Sequence, residues 1–185
     1  MKAVLLSIQP KWCELIASGK KTVEVRKNKP KLETPFKVYI YETQGETETP
    51  WVDEDGHKIF KGRGQVIGEF ICDKIYDIKP HYDIPIFCNQ YEYGWKIGEA
   101  EDCLSFDELD FYLGGKRGYG WHISDLKIYN KPKNKVEFCH PCDRDPQCDC
   151  RYCVRYAGNK PILRAPQSWC YVEKLQNEYS GGHHE

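Results

Sequence analysis

The chain has 185 residues, 40% of them hydrophobic and 14% aromatic, with a formal net charge of −1. This is enough apolar material for one domain with its own core, and it excludes a disordered polyelectrolyte, which combines fewer apolar residues with a larger net charge. No apolar run approaches the roughly 20 residues that span a bilayer, and the amino terminus shows no long apolar signal segment, so a soluble, cytoplasmic protein with no membrane partner is expected.

In chain order, Ala3–Ile8 reads as a buried strand. Pro10 suits the first turn of a short helix, where its missing amide hydrogen costs nothing. Trp12, Leu15 and Ile16 supply an apolar stripe at helical spacing, and Gly19 is a natural terminator. Lys21–Arg26 alternates as a strand, with Val23 and Val25 on one face and Thr22, Glu24 and Arg26 on the other. Phe36–Tyr41 is a second alternating strand. Glu42–Gly64 is polar, acidic and turn-rich, with Asp55-Gly56 as a tight turn, which predicts an exposed loop or hairpin. Gln65–Ile78 returns to strand pattern. Ser105-Phe106-Asp107-Glu108 has the form of a helix-starting capping box, and Gly114-Gly115 would end that helix. Tyr119–Tyr129 alternates again, and Gln167–Val172 reads as a last strand. About six strands and two short helices without βαβ alternation predict an α+β, mainly-β fold. The expected form is a small, curved, largely antiparallel sheet closed into a barrel.

Charge and cysteine are both unevenly spread. Residues 1–31 hold eight Lys or Arg against Glu14 and Glu24, and Lys127–Arg164 holds nine against four acids. If these segments meet in space they form a positive face suited to a polyanion. Of ten cysteines, five crowd into Cys139–Cys153. Cys139-His140-Pro141-Cys142 and Cys150-Arg151-Tyr152-Cys153 form two C-x-x-C pairs across a seven-residue spacer. Each pair can place two sulfurs on one side of a tetrahedral zinc. The expected ligands are Cys139, Cys142, Cys150 and Cys153, with Cys148, His140 and Cys170 as spare donors. Four thiolates leave no open position, so the Zn2+ would be structural. The other five cysteines read as scattered thiols.

Gly19-Lys20-Lys21-Thr22-Val23-Glu24-Val25-Arg26 is the most informative stretch outside the knuckle. Arginine can grip phosphate or carboxylate through two parallel hydrogen bonds, and lysine supplies a point charge. Glu24 can hold Arg26 still or accept the amino hydrogens of a base.

The start of the chain, Leu6-Ser7-Ile8-Gln9-Pro10 followed by the Trp12 helix and the G-x-K-x-x-E-x-R pattern of Gly19, Lys21, Glu24 and Arg26, resembles the ASCH domain family of the PUA-like superfamily. The likeness continues in Val66–Phe70, Tyr119–Ile123 and Ala165–Val172. It implies a single domain over 1–185: a small PUA-like β-barrel with an acidic loop at 42–64, a zinc knuckle at 139–153 inserted before the last strand, and a tail at 176–185. It also implies a cleft beside the first helix, where Lys20, Lys21, Glu24 and Arg26 meet RNA or a nucleotide-like ligand. Ser7, Trp12 and Gln167 would be neighbours there, with Trp12 either stacking on a base or packing in the core. Some relatives hydrolyse N4-acetylcytidine using the motif lysine, a threonine where this chain has Glu24, and a carboxylate near the second helix, for which Glu101 and Asp102 are placed. Others are ribonucleases. A hydrolase with Lys21 and Glu24 as catalytic groups is therefore the alternative to a nucleic-acid-binding protein.

Overall fold

The computed structural model describes residues 1–52, 58–81, 84–88, 103–104, 106–141 and 160–175. The chain opens with β1 (Lys2–Ile8), α1 (Pro10–Ala17), β2 (Val23–Arg26) and β3 (Phe36–Glu42). Then come β4 (Glu46–Val52), β5 (Lys58–Lys61), β6 (Val66–Cys72), β7 (Ile75–His81) and β8 (Ile84–Cys88). The remaining elements are α2 (Phe106–Leu113), β9 (Gly118–His122), β10 (Ser124–Lys133), β11 (Cys139–His140), β12 (Lys160–Pro161) and β13 (Trp169–Glu173).

Two sheets carry the fold. One has the order β10-β6-β3-β1-β13 and the other β2-β9-β7-β8. Pairing is antiparallel except between β1 and β3. Each of the long segments read as single strands is two strands. The chain bends at Asp73–Lys74 between β6 and β7, and at Ile123 between β9 and β10, so both ribbons pass from one sheet into the other. On the opposite side β1 leads into α1 instead of pairing with β2. The expected barrel is accordingly not closed: among the described residues the ladders stop between the two sheets.

Central position explains the apolar run of β1. It lies between β3 and β13 with both faces covered, so six consecutive residues from Ala3 to Ile8 are buried without alternation. Val4, Leu6 and Ile8 point into the cluster between the sheets with Phe70 and Trp121, while Ala3 and Leu5 pack with Tyr39 and Phe138 on the far face. A third cluster places Val23, Val25 and Ile78 beneath Leu109 and Leu113 of α2. Fully burying one such aliphatic side chain contributes roughly 1.5–3 kcal/mol.

The first helix turns a different face inward from the expected stripe. Pro10, Cys13 and Ile16 are its buried residues, and Trp12 and Leu15 are half-buried. It ends as expected at Gly19, whose φ of +73° is a conformation that a residue with a Cβ rarely adopts. The acidic segment after β3 forms the β4–β5 hairpin, and Asp55-Gly56 lies outside the described residues. Gly62 returns this hairpin to the body: a Cβ there would lie 1.8 Å from the Thr43 carbonyl oxygen and 2.6 Å from the Pro10 ring. No helix among the described residues is long and apolar enough to cross a membrane.

Candidate nucleic-acid interface

The two-residue period of β2 builds the site. Val23 and Val25 face α2, so Glu24 and Arg26 face the other way, toward the gap between the sheets. There Glu24 stands opposite Trp121 in the β2–β9 register, and Arg26 opposite Tyr119. Lys21 enters at the helix-to-strand junction, its amide donating to the Leu15 carbonyl at 3.0 Å. The strand is shorter than the sequence predicts, beginning at Val23, because Lys20 and Lys21 still cap the helix end.

These side chains are buried, not solvated. Lys21 is 2% exposed and Glu24 5%. Lys21 Nζ lies 3.5 Å from Glu24 Oε2, and an Arg26 terminal nitrogen lies 2.9 Å from Glu24 Oε1. The same Arg26 nitrogen donates to the Ser7 carbonyl at 2.6 Å. Ser7 in turn donates its hydroxyl to the Pro166 carbonyl at 2.7 Å and its amide to the Ser168 carbonyl at 2.9 Å. One chain of contacts thus joins β2, β1 and the approach to β13. Trp12 lies over the lysine, with Lys21 Nζ 5.1 Å and Lys11 Nζ 4.7 Å from its ring centroid.

Three participants were not legible from the motif. Glu42, read as part of an exposed acidic loop, is 7% exposed at the end of β3. It accepts the Arg63 amide at 2.8 Å and lies 4.0 Å from the Arg63 Nε. Cys13 sits between this pair and the motif. Its thiol is pushed well above the usual range, first by burial and then by Glu42 and Glu24, against the opposing Arg26 and Arg63 charges. It stays protonated and points to the Ile8 carbonyl at 3.6 Å, which suits packing and not nucleophilic attack. Only an acid at the end of a strand, followed some twenty residues later by an arginine between glycines, hinted at the Glu42–Arg63 pair. Among the described residues, Lys21 and Arg26 pair with Glu24, and Arg63 pairs with Glu42.

The structure brings Ser7, Trp12, Lys21, Glu24 and Arg26 together. Lys20 is exposed; its amide donates to the Leu15 carbonyl at 2.9 Å, and its own carbonyl accepts from the Cys103 thiol at 3.5 Å. Gln167 is exposed too, but it lies between the two residues whose carbonyls hold Ser7. Glu101 and Asp102 lie outside the described residues.

Of the expected zinc ligands, Cys139 is described, and Cys142, Cys150 and Cys153, together with the spare donor Cys148, lie outside the described residues. Among the described residues no three His, Cys, Asp or Glu side chains converge on a metal-sized point. Cys139 is a free, half-buried thiol, raised by burial and by Glu173. His140 is lowered by burial and by Lys160, which leaves a neutral imidazole. Both stand on β11, which pairs with β12 as Cys139↔Pro161 and His140↔Lys160, pinning the two ends of the cysteine-rich segment side by side. Cys13, Cys72, Cys103 and Cys170 are also free thiols.

A family model for the ASCH domain matches residues 6–97, the span that contains every motif residue of the site. No curated protein matches the chain by sequence. Solved structures of the ASCH protein of Zymomonas mobilis share the fold. The unmodified protein superposes with a TM-score of 0.55 at 19% identity, covering 93% of this chain and 88% of that one. A tyrosine-to-phenylalanine variant gives 0.56 at 19% identity (94% and 92%), and a serine-to-alanine variant 0.55 at 18% (93% and 89%). With the family match and this PUA-like architecture together, the chain belongs to the ASCH domain family.

Proposed function

We propose that this protein binds RNA or a nucleotide-like ligand in the cleft between α1 and β2, without turnover. The observation that carries this reading is the burial of Lys21 and Glu24, joined to the half-buried Arg26 as one connected charged cluster beneath Trp12. Well-packed apolar residues would often hold a fold as well as buried ion pairs do, so such a cluster has to be explained by more than stability. Arginine and lysine side chains suit a phosphate, and Trp12 offers a face on which a base can stack.

The ion pairs favour binding over hydrolysis. Lys21 Nζ stands 3.5 Å from the Glu24 carboxylate, which presents it as an ion-pair partner and not as a free nucleophile. Glu24 itself is held by two cations and is poorly placed as a free base. Cys139, Cys142, Cys150 and Cys153 would hold a zinc ion whose contribution is structural, closing the segment that leads to β12 and β13.

The test is fluorescence anisotropy of labelled single-stranded RNA at low salt, with Trp12→Ala beside the wild type. Loss of one stacked base weakens binding by about 1–3 kcal/mol. A wild-type protein that binds no RNA, or a variant with unchanged affinity, removes the reading.

A further inference from the structure

Among the described residues, three buried side-chain polar atoms have no hydrogen-bond partner: Arg26 Nε, Trp121 Nε1 and Glu24 Oε2, which has only the looser ion pair with Lys21 Nζ at 3.5 Å. Buried polar atoms are paired in the great majority of cases, so each orphan asks for an explanation. Here all three fall on one patch. Glu24 and Trp121 are direct partners in the β2–β9 ladder, and Arg26 lies two residues further along the same face. Opposed residues in an antiparallel pair project to the same side, with Cβ atoms only about 5 Å apart. Trp121 is itself held edge-on against Phe36 and tilted against Trp169, so its indole nitrogen cannot easily turn elsewhere.

The chemistry of the three atoms is uneven. Arg26 Nε and Trp121 Nε1 can only donate, and Glu24 Oε2 as a carboxylate can only accept. A guest that satisfies them offers two acceptors and one donor. Among the common bases, the pairing edges of the pyrimidines have that inventory. Uracil presents two carbonyl oxygens and a ring N–H, and cytosine a carbonyl oxygen, a ring nitrogen and an amino group. Adenine has a single acceptor on that edge, and guanine has one acceptor and two donors. A purine presenting that same edge would leave at least one buried protein donor unpaired.

We propose that the cleft selects pyrimidines over purines through Glu24, Arg26 and Trp121. This rests on the nucleic-acid reading above, and it adds which base enters. Phosphate contacts contribute equally to every strand of one length, so they do not blur the comparison. The experiment measures wild-type affinity for labelled strands of about ten nucleotides: uridine, cytidine and adenosine homopolymers, and an alternating adenosine–guanosine strand. At least one pyrimidine strand should bind about tenfold or more tightly than both purine strands. Parity among the strands, or a preference for purines, overturns the selectivity and leaves the nucleic-acid reading standing. Binding to none of them overturns both.

Trp121→Phe provides a second arm, because it removes one donor and keeps an aromatic ring in the core. The remaining donor and acceptor match adenine, so the ratio of pyrimidine to adenosine affinity should fall by at least about threefold. An unchanged ratio in a variant that melts cooperatively overturns the role of Trp121. If the variant does not fold, the wild-type panel alone decides.

Discussion

Arg26 donates to the backbone carbonyl of Ser7 at 2.6 Å, so the last residue of β2 is tied to a strand with which β2 forms no ladder. The sequence places Arg26 on the strand face opposite Val23 and Val25, and in the structure that face is tied to β1. Arg26→Ala should lower stability as well as ligand affinity, by about 1.5–3 kcal/mol for the loss of hydrogen bonds made by a charged group. Urea denaturation of the unliganded variant checks it, and an unchanged midpoint would show the tie to be dispensable.

Glu24 is the hub between two buried cations, and its loss strands both. Glu24→Ala should cost about 3–5 kcal/mol, the scale for breaking a buried ion pair from one side. Combining it with Lys21→Met removes one of the two cations that lost their shared carboxylate, so the double variant should recover part of that loss. Chemical denaturation of the two single variants and the double variant measures the coupling. Strict additivity would mean that Lys21 and Glu24 do not interact across their 3.5 Å separation.

The motif lysine separates binding from catalysis. Incubated with N4-acetylcytidine or with single-stranded RNA, the wild-type protein should release no acetate and cut no strand. The Lys21→Ala variant should bind RNA more weakly. Acetate release or cleavage by the wild type, absent from the variant, would reverse the binding assignment.

Acid should loosen the first sheet at a defined place. Glu69 accepts from Lys37 Nζ and from the Tyr129 hydroxyl, both at 2.6 Å. Burial by itself would raise this carboxyl, but those hydrogen bonds and the Lys37 and Lys127 charges outweigh it, and it titrates below its ordinary 4.5. A carboxyl depressed in the folded state contributes stability that is present above the unfolded value and lost as pH falls through the folded one. The melting-temperature gap between wild type and Glu69→Gln should therefore be widest near neutrality and shrink as the pH drops below about 4. A gap independent of pH would contradict this.

One zinc per chain is expected from elemental analysis of protein purified without chelator. Removing it should lower stability, because the β11–β12 ribbon closes the base of the cysteine-rich segment shortly before β13. Zinc-free protein, or disulfides mapped onto Cys139, Cys142, Cys150 and Cys153, would remove the site.

Local rules were enough for much of this protein. The alternation of Val23 and Val25 against Glu24 and Arg26, the Pro10 start and the Gly19 stop depend on neighbours one to four residues apart, and each appears in the structure as the sequence reads. The apolar run of β1 likewise announced a strand covered on both faces. Other features depended on what the chain meets at long range. Strand period does not mark where a ribbon bends, so the turns at Asp73–Lys74 and Ile123, and with them the division into two sheets, came only with the fold. Nor does it report solvent: Glu24 and Lys21 look like an exposed charged face until the gap between the sheets closes around them. Helical spacing offered Trp12 and Leu15 as core, yet Cys13 was chosen because it faces Ile8 and the β3 end, leaving Trp12 half-open over Lys21. Glu42 and Arg63 are 21 residues apart, and only the return of the β4–β5 hairpin brings them together.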